Sequence, residues 1–90
     1  MFILTQYLKA IVPLENISYI SKEKVDDDGY SVIAVMKDSK ITEEDCIELG
    51  FYYDEQEANN AMIGIIEGCR LKASSFVMPK ADSEAWYGTG

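Results

Sequence analysis

The chain has 90 residues, nearly half of them apolar and about a quarter charged, with 16 acids against 8 bases and no histidine. That length supports one modest core and no second domain, and the balance is globular rather than disordered or fibrous. The missing histidine removes the usual general base, the Cys-His and Ser-His pairs and the commonest zinc ligand, while a net charge of -8 without any Lys/Arg cluster argues against direct nucleic-acid binding.

The N-terminal "MFILTQYLKAIV" has no basic flank and no small-residue cleavage site, and no apolar run reaches the roughly 18 residues that span a bilayer. The expectation is an unprocessed cytosolic protein with no membrane contact. Residues 2–8 and 10–13 read as strands flanking a turn at Lys9, with the next bend at Leu14, Glu15 and Asn16 after Pro13. From 17 to 25 the residues alternate, Ile17, Tyr19, Ser21, Glu23 and Val25 against Ser18, Ile20, Lys22 and Lys24, as in a strand leaving the core. Asp28-Gly29 signals a hairpin, and "YSVIAVMK" after it, apolar on both faces, reads as a central strand covered on one side by a helix. "DSKITEEDC" is polar and irregular. "IELGFYY" alternates again, placing Ile47, Leu49, Phe51 and Tyr53 on one face and Glu48, Gly50 and Tyr52 on the other.

A helix follows over 55–67. Asp54 is its N-cap with Glu57 as reciprocal partner; Ala58, Met62, Ile65 and Ile66, with Cys69 following, form its apolar stripe, and Gly68 is its stop. Gly64 inside the helix implies a close approach, to the sheet or to another chain. "SSFVMPK" supplies a last strand ended by Pro79. The fold class is therefore α+β: a curved antiparallel sheet of five or six short strands, or a small barrel, with one helix in the C-terminal half packed on it. Residues 1–80 form the domain and 81–90 a tail.

The chemistry-bearing candidates are few. Cys46 and Cys69 are too few for a disulfide framework and read as reduced, buried thiols. Asp26, Asp27, Asp28 and Gly29 look like half a calcium loop but lack its later ligands and closing glutamate, so no metal site is expected. Glu43, Glu44 and Asp45 read as a solvated acidic loop able to meet a partner. Tyr52, off the apolar face of its strand and beside the helix start, is a candidate contact residue. Trp86 and Tyr87 would be costly to leave exposed in a tail, which predicts their docking on the same chain or on a neighbour. Uncovered strand edges predict a homodimer. No cofactor and no enzymatic activity are expected.

Taken together, "FILTQ", "VPLENISYI", "IELGFYYDEQEANNAMIGI" and "FVMP" resemble a group of small uncharacterised proteins of Gram-positive bacteria and their prophages. The matching positions are Leu14, Asn16, Ile17, Leu49, Gly50, Tyr52, Glu57, Ala58, Phe76, Met78 and Pro79. The resemblance implies a fold and a phage setting, and brings no catalytic residue with it; the segment 37–45 and the aromatic tail depart from its pattern. The leading functional expectation is a non-enzymatic acidic binding protein, a phage accessory or anti-defence protein that blocks a basic surface of a host factor by imitating nucleic-acid charge. One alternative is an oligomer that binds and sequesters a nucleotide-type ligand through Lys22, Lys24, Arg70 and Lys72, with Lys80 the only other candidate base. A purely structural homo-oligomer is the other.

Overall fold

A computed structural model of the chain describes residues 1–25, 29–37 and 46–81. It is α+β; the described residues form six strands and one α-helix in the order β1 (Phe2–Leu4), β2 (Ile11–Pro13), β3 (Ile17–Val25), β4 (Gly29–Met36), β5 (Cys46–Tyr52), α1 (Glu55–Arg70) and β6 (Ser75–Val77). The strands divide into two three-stranded sheets, β2-β1-β6 and β3-β4-β5. The single curved antiparallel sheet or barrel expected from the sequence is thus replaced by two separate sheets, and β1 pairs with β6 in parallel. A parallel neighbour requires a long crossover, and here almost the whole chain serves as that crossover, so local patterning carries no trace of it.

The turn between β1 and β2 is wider than a bend at Lys9. Gln6–Leu8 form a short 3-10 segment in which Tyr7 and Leu8 both have positive φ, 63° and 55°. Thr5 closes the loop: its N–H donates to the Ala10 carbonyl at 3.0 Å, its hydroxyl accepts from the Ala10 N–H at 2.9 Å, and its carbonyl accepts from the Leu8 N–H at 2.8 Å.

In the second sheet β4 is central, as its apolar character on both faces implies. Each neighbour carries a bulge. In β3 the register shifts between Ile17 and Tyr19, and in β5 Gly50 lies opposite Val32 but Glu48 lies opposite Ile33, leaving Leu49 over. A bulge reverses the alternation beyond it. Ile17 and Ile20 therefore both face the core, and so do Leu49 and Tyr52. Gly29 has no positive φ and sits inside β4 opposite Val25, so its value is close approach rather than turn geometry: a Cβ there would lie 2.5 Å from the Tyr52 carbonyl oxygen and 2.7 Å from the Phe51 ring. The expected hairpin residues Asp26, Asp27 and Asp28 lie outside the described residues.

Helix α1 runs to Arg70, three residues past the expected end. The Asp54 carboxylate caps it by accepting from the Gln56 N–H at 3.2 Å. Gly68 does not stop it. Instead the Ala73 N–H donates to the Gly68 carbonyl and the Lys72 N–H to the Cys69 carbonyl, a Schellman closure with Lys72 at φ 58° in the place glycine usually takes. The buried helix residues are Ala58, Ala61 and Ile65, while Ile66 is exposed. Small residues let the helix approach closely. A Cβ at Gly64 would lie 2.7 Å from the Phe76 ring on β6, and one at Gly68 would lie 3.3 Å from the Met1 sulfur, so the close approach is to the sheet. The core joins both sheets and the helix: Ile3, Val12, Ile17, Val32, Ala34, Leu49, Tyr52, Ala58, Ala61, Ile65, Met78 and Ala81. Cys46 and Cys69 are free and exposed rather than buried, because Cys46 pairs with Val35 on the side of the second sheet away from the core and Cys69 lies on the outward side of α1. Among the described residues no helix is long and apolar enough to cross a membrane.

Candidate functional site

The junction of β5 and α1 is built around a buried tyrosine. Beyond the Leu49 bulge, Tyr52 turns inward and its ring lies along the strand over Gly50, where a Cβ would meet the phenol oxygen at 2.8 Å. The Tyr52 hydroxyl donates to the Pro79 carbonyl at 2.7 Å. Burial, with the Glu57 charge adding to it, pushes the Tyr52 phenol up to about 12. Tyr52 is fully buried, and this corrects its expected place off the apolar face: with no exposed surface it offers nothing for a partner to touch.

Gln6 completes the junction, although nothing in the sequence singled it out. Its side-chain amide accepts from the Phe51 N–H at 2.9 Å and donates to the Phe51 carbonyl at 3.0 Å, reproducing the pair of bonds that a neighbouring strand would make to the free edge of β5. The same amide donates to the Pro79 carbonyl at 3.1 Å, so Gln6 and Tyr52 together tie down the chain after β6. The only signal was a polar residue in an apolar stretch.

With Tyr52 turned in, the aromatic residues on either side of it turn out. Phe51 and Tyr53 form an edge-to-face pair, ring centroids 5.1 Å apart and planes at 90°, on the face of the second sheet opposite the core. Register places Ser31 between Glu23 and Phe51 on that face, and Glu48 opposite Ile33 one row away. The Ser31 hydroxyl donates to the Glu48 carboxylate at 2.6 Å and fixes its direction. Tyr53 is about half exposed (49%), and Asp54 and Glu55, the next two residues, are exposed at the helix start. The result is an aromatic pair with Glu23 and Glu48 on the same sheet face, where Tyr53 is the exposed ring, Phe51 is half-buried and Ser31 and Val35 beside them are buried.

The other candidates do not assemble into one site. Lys22 reaches the start of α1, where its ammonium donates to the Glu55 carboxylate at 2.6 Å and to the Asn59 side-chain oxygen at 2.7 Å. Arg70 pairs with Glu67 at 2.7 Å at the far end of the same 16-residue helix. A helix of that length places its ends about 22 Å apart, so Lys22 and Arg70 do not converge. Lys72 closes the helix terminus and Lys24 lies on β3 opposite Tyr30. Glu43, Glu44, Asp45, Trp86 and Tyr87 lie outside the described residues, as do Asp26, Asp27 and Asp28 of the half-loop. Among the described residues no three His, Cys, Asp or Glu side chains are grouped to hold a metal. No family model matches the chain, and comparison with curated proteins and with solved structures gave no significant match.

Proposed function

We propose that the chain is a non-enzymatic binding module that takes a basic segment of a protein partner on the outer face of β3-β4-β5. The observation that carries this reading is the Phe51–Tyr53 ring pair with Glu23 and Glu48 on the same sheet face. An exposed ring face attracts a guanidinium or ammonium, and a carboxylate held in place by a hydrogen bond adds a directional acceptor. An excess of eight negative charges steers such a partner toward the molecule before contact. In the phage setting that the resemblance implies, the partner is a host factor whose basic surface normally meets nucleic acid, and occupation of that surface is the activity.

Calorimetric titration with an arginine-rich peptide tests this. Any acidic protein attracts such a peptide, so the decisive comparison holds the charge change constant. Glu48→Gln and Tyr53→Ala are expected to weaken binding several-fold, whereas Glu15→Gln, a charge removed far from this face, leaves it nearly unchanged. Equal losses for Glu48→Gln and Glu15→Gln, with Tyr53→Ala silent, would reduce the reading to non-specific charge attraction.

A further inference from the structure

The edge of a sheet is a template for a further strand, and each edge strand needs some feature that blunts it. The two sheets present four edges: β2 and β6 in the first, β3 and β5 in the second. Each of β2 and β6 is three residues long, β2 ends on Pro13, and Pro79 lies two residues beyond β6. In β3 the charged residues Lys22, Glu23 and Lys24 stand in succession and discourage a flat neighbour. None of these features protects β5. Its "CIELGFY" holds one charge and no proline, and most of its residues favour extended pairing, the composition of a segment that self-assembles when exposed.

What blunts β5 comes from the far end of the chain. Gln6, 7% exposed, accepts from the Phe51 N–H and donates to the Phe51 carbonyl, the two groups that an added strand would need. The turn that carries Gln6 stands beside residues 48–51, with Thr5, Tyr7 and Lys9 facing β5 across a polar hollow of about 180 Å³. That turn is strained. Tyr7 and Leu8 are consecutive residues with positive φ, a conformation that costs free energy in any residue but glycine, and neither is buried by it, since they are exposed 45% and 65%. The buried residue of the segment is Gln6, and Thr5 locks the turn through its bonds to Ala10 and Leu8. Strain that is held by a clamp and serves one buried side chain points to a task for that side chain.

We infer that the turn at residues 5–9 is an edge guard: with Gln6 in place β5 refuses a further strand, and with Gln6 withdrawn β5 pairs with β5 of a second copy of this chain. The occupant is a second copy because identical segments of this composition pair with one another, and because two β5 edges related by a two-fold axis make a self-complementary, closed contact. Uncovered edges are the reason to expect a homodimer, and the guard removes that reason at the edge best suited to form one. The guard acts at the rim of the second sheet and is independent of the outer face proposed for the partner.

Backbone amide exchange and light scattering on the intact chain test this. In the native chain the Phe51 amide is expected to exchange slowly and at a rate independent of protein concentration. In Gln6→Ala the same amide exchanges fast in dilute solution and becomes protected as concentration rises, while the mass climbs to twice that of the native chain. Thr5→Val unlocks the turn but keeps Gln6; it shifts association in the same direction and takes the place of Gln6→Ala if circular dichroism shows that variant unfolded. Asp54→Ala, which loosens the helix start and leaves the guard intact, keeps the native mass. A folded Gln6→Ala or Thr5→Val chain whose mass and Phe51 exchange do not depend on concentration overturns the inference. So does association of Asp54→Ala to the same extent, or a native chain whose Phe51 amide gains protection only as it is concentrated.

Discussion

Tyr52 joins β5 to the chain after β6 with one side chain, since its ring fills the space over Gly50 and its hydroxyl reaches the Pro79 carbonyl. Its phenol is raised from 10.0 to about 12, so the folded state holds the proton more tightly than the unfolded chain does. Its contribution to stability is therefore complete below about pH 10 and is lost as the pH rises through about 12, a decline on the order of 2 kcal/mol. Urea unfolding across that range should show a steeper loss for the native chain than for Tyr52→Phe, which has no phenol to ionise. Parallel curves would mean that Tyr52 is not the group responsible. At neutral pH Tyr52→Phe is expected to cost about 1 kcal/mol, because Pro79 keeps its bond from Gln6. Gln6→Leu, which removes partners from both polar groups of Phe51, is expected to cost more, about 2 kcal/mol. Lys72 lies at the opposite extreme: with φ 58° it is the residue a glycine would relieve, and Lys72→Gly should raise stability by about 1 kcal/mol in the same assay.

Among the elements, those with a local cause were legible in the sequence and those with a distant cause were not. The helix start is local, and Asp54 caps it; Asp54→Ala is expected to cost about 1 kcal/mol with no change in peptide binding, measured by denaturation and calorimetry on the same variant. Unchanged stability with lost binding would place Asp54 in the recognition surface instead. The central position of β4 was also readable, because its apolar residues lie on both faces. The two bulges were not. Nothing in "ISYISKEKV" or "CIELGFY" marks the extra residue, yet each bulge reverses the faces beyond it, and the second decides that Tyr52 is buried while Tyr53 is exposed. The helix stripe was misplaced for a related reason. Large apolar residues suggested that Ile66 faces inward, but Phe76 fills the interface from the other side and requires Gly64 against it. The parallel pairing of β1 with β6 joins residues more than seventy positions apart, and no local pattern encodes it.

At the scale of the whole molecule, the fold keeps the described acids off the first sheet. The first sheet and its flanks come from segments free of acids, and the second sheet and the helix start carry Glu23, Glu48, Asp54 and Glu55. On the proposed reading the second sheet offers the Phe51–Tyr53 pair to a basic partner. The most direct test is a heteronuclear NMR titration of the intact, isotope-labelled chain with an arginine-rich peptide. Amide signals of Glu23, Ser31, Glu48, Phe51 and Tyr53 are expected to shift progressively and saturate together, while those of Phe2, Leu4, Ile11 and Val77 stay in place. Shifts concentrated on the first sheet, or spread evenly over every exposed acid, would contradict that reading.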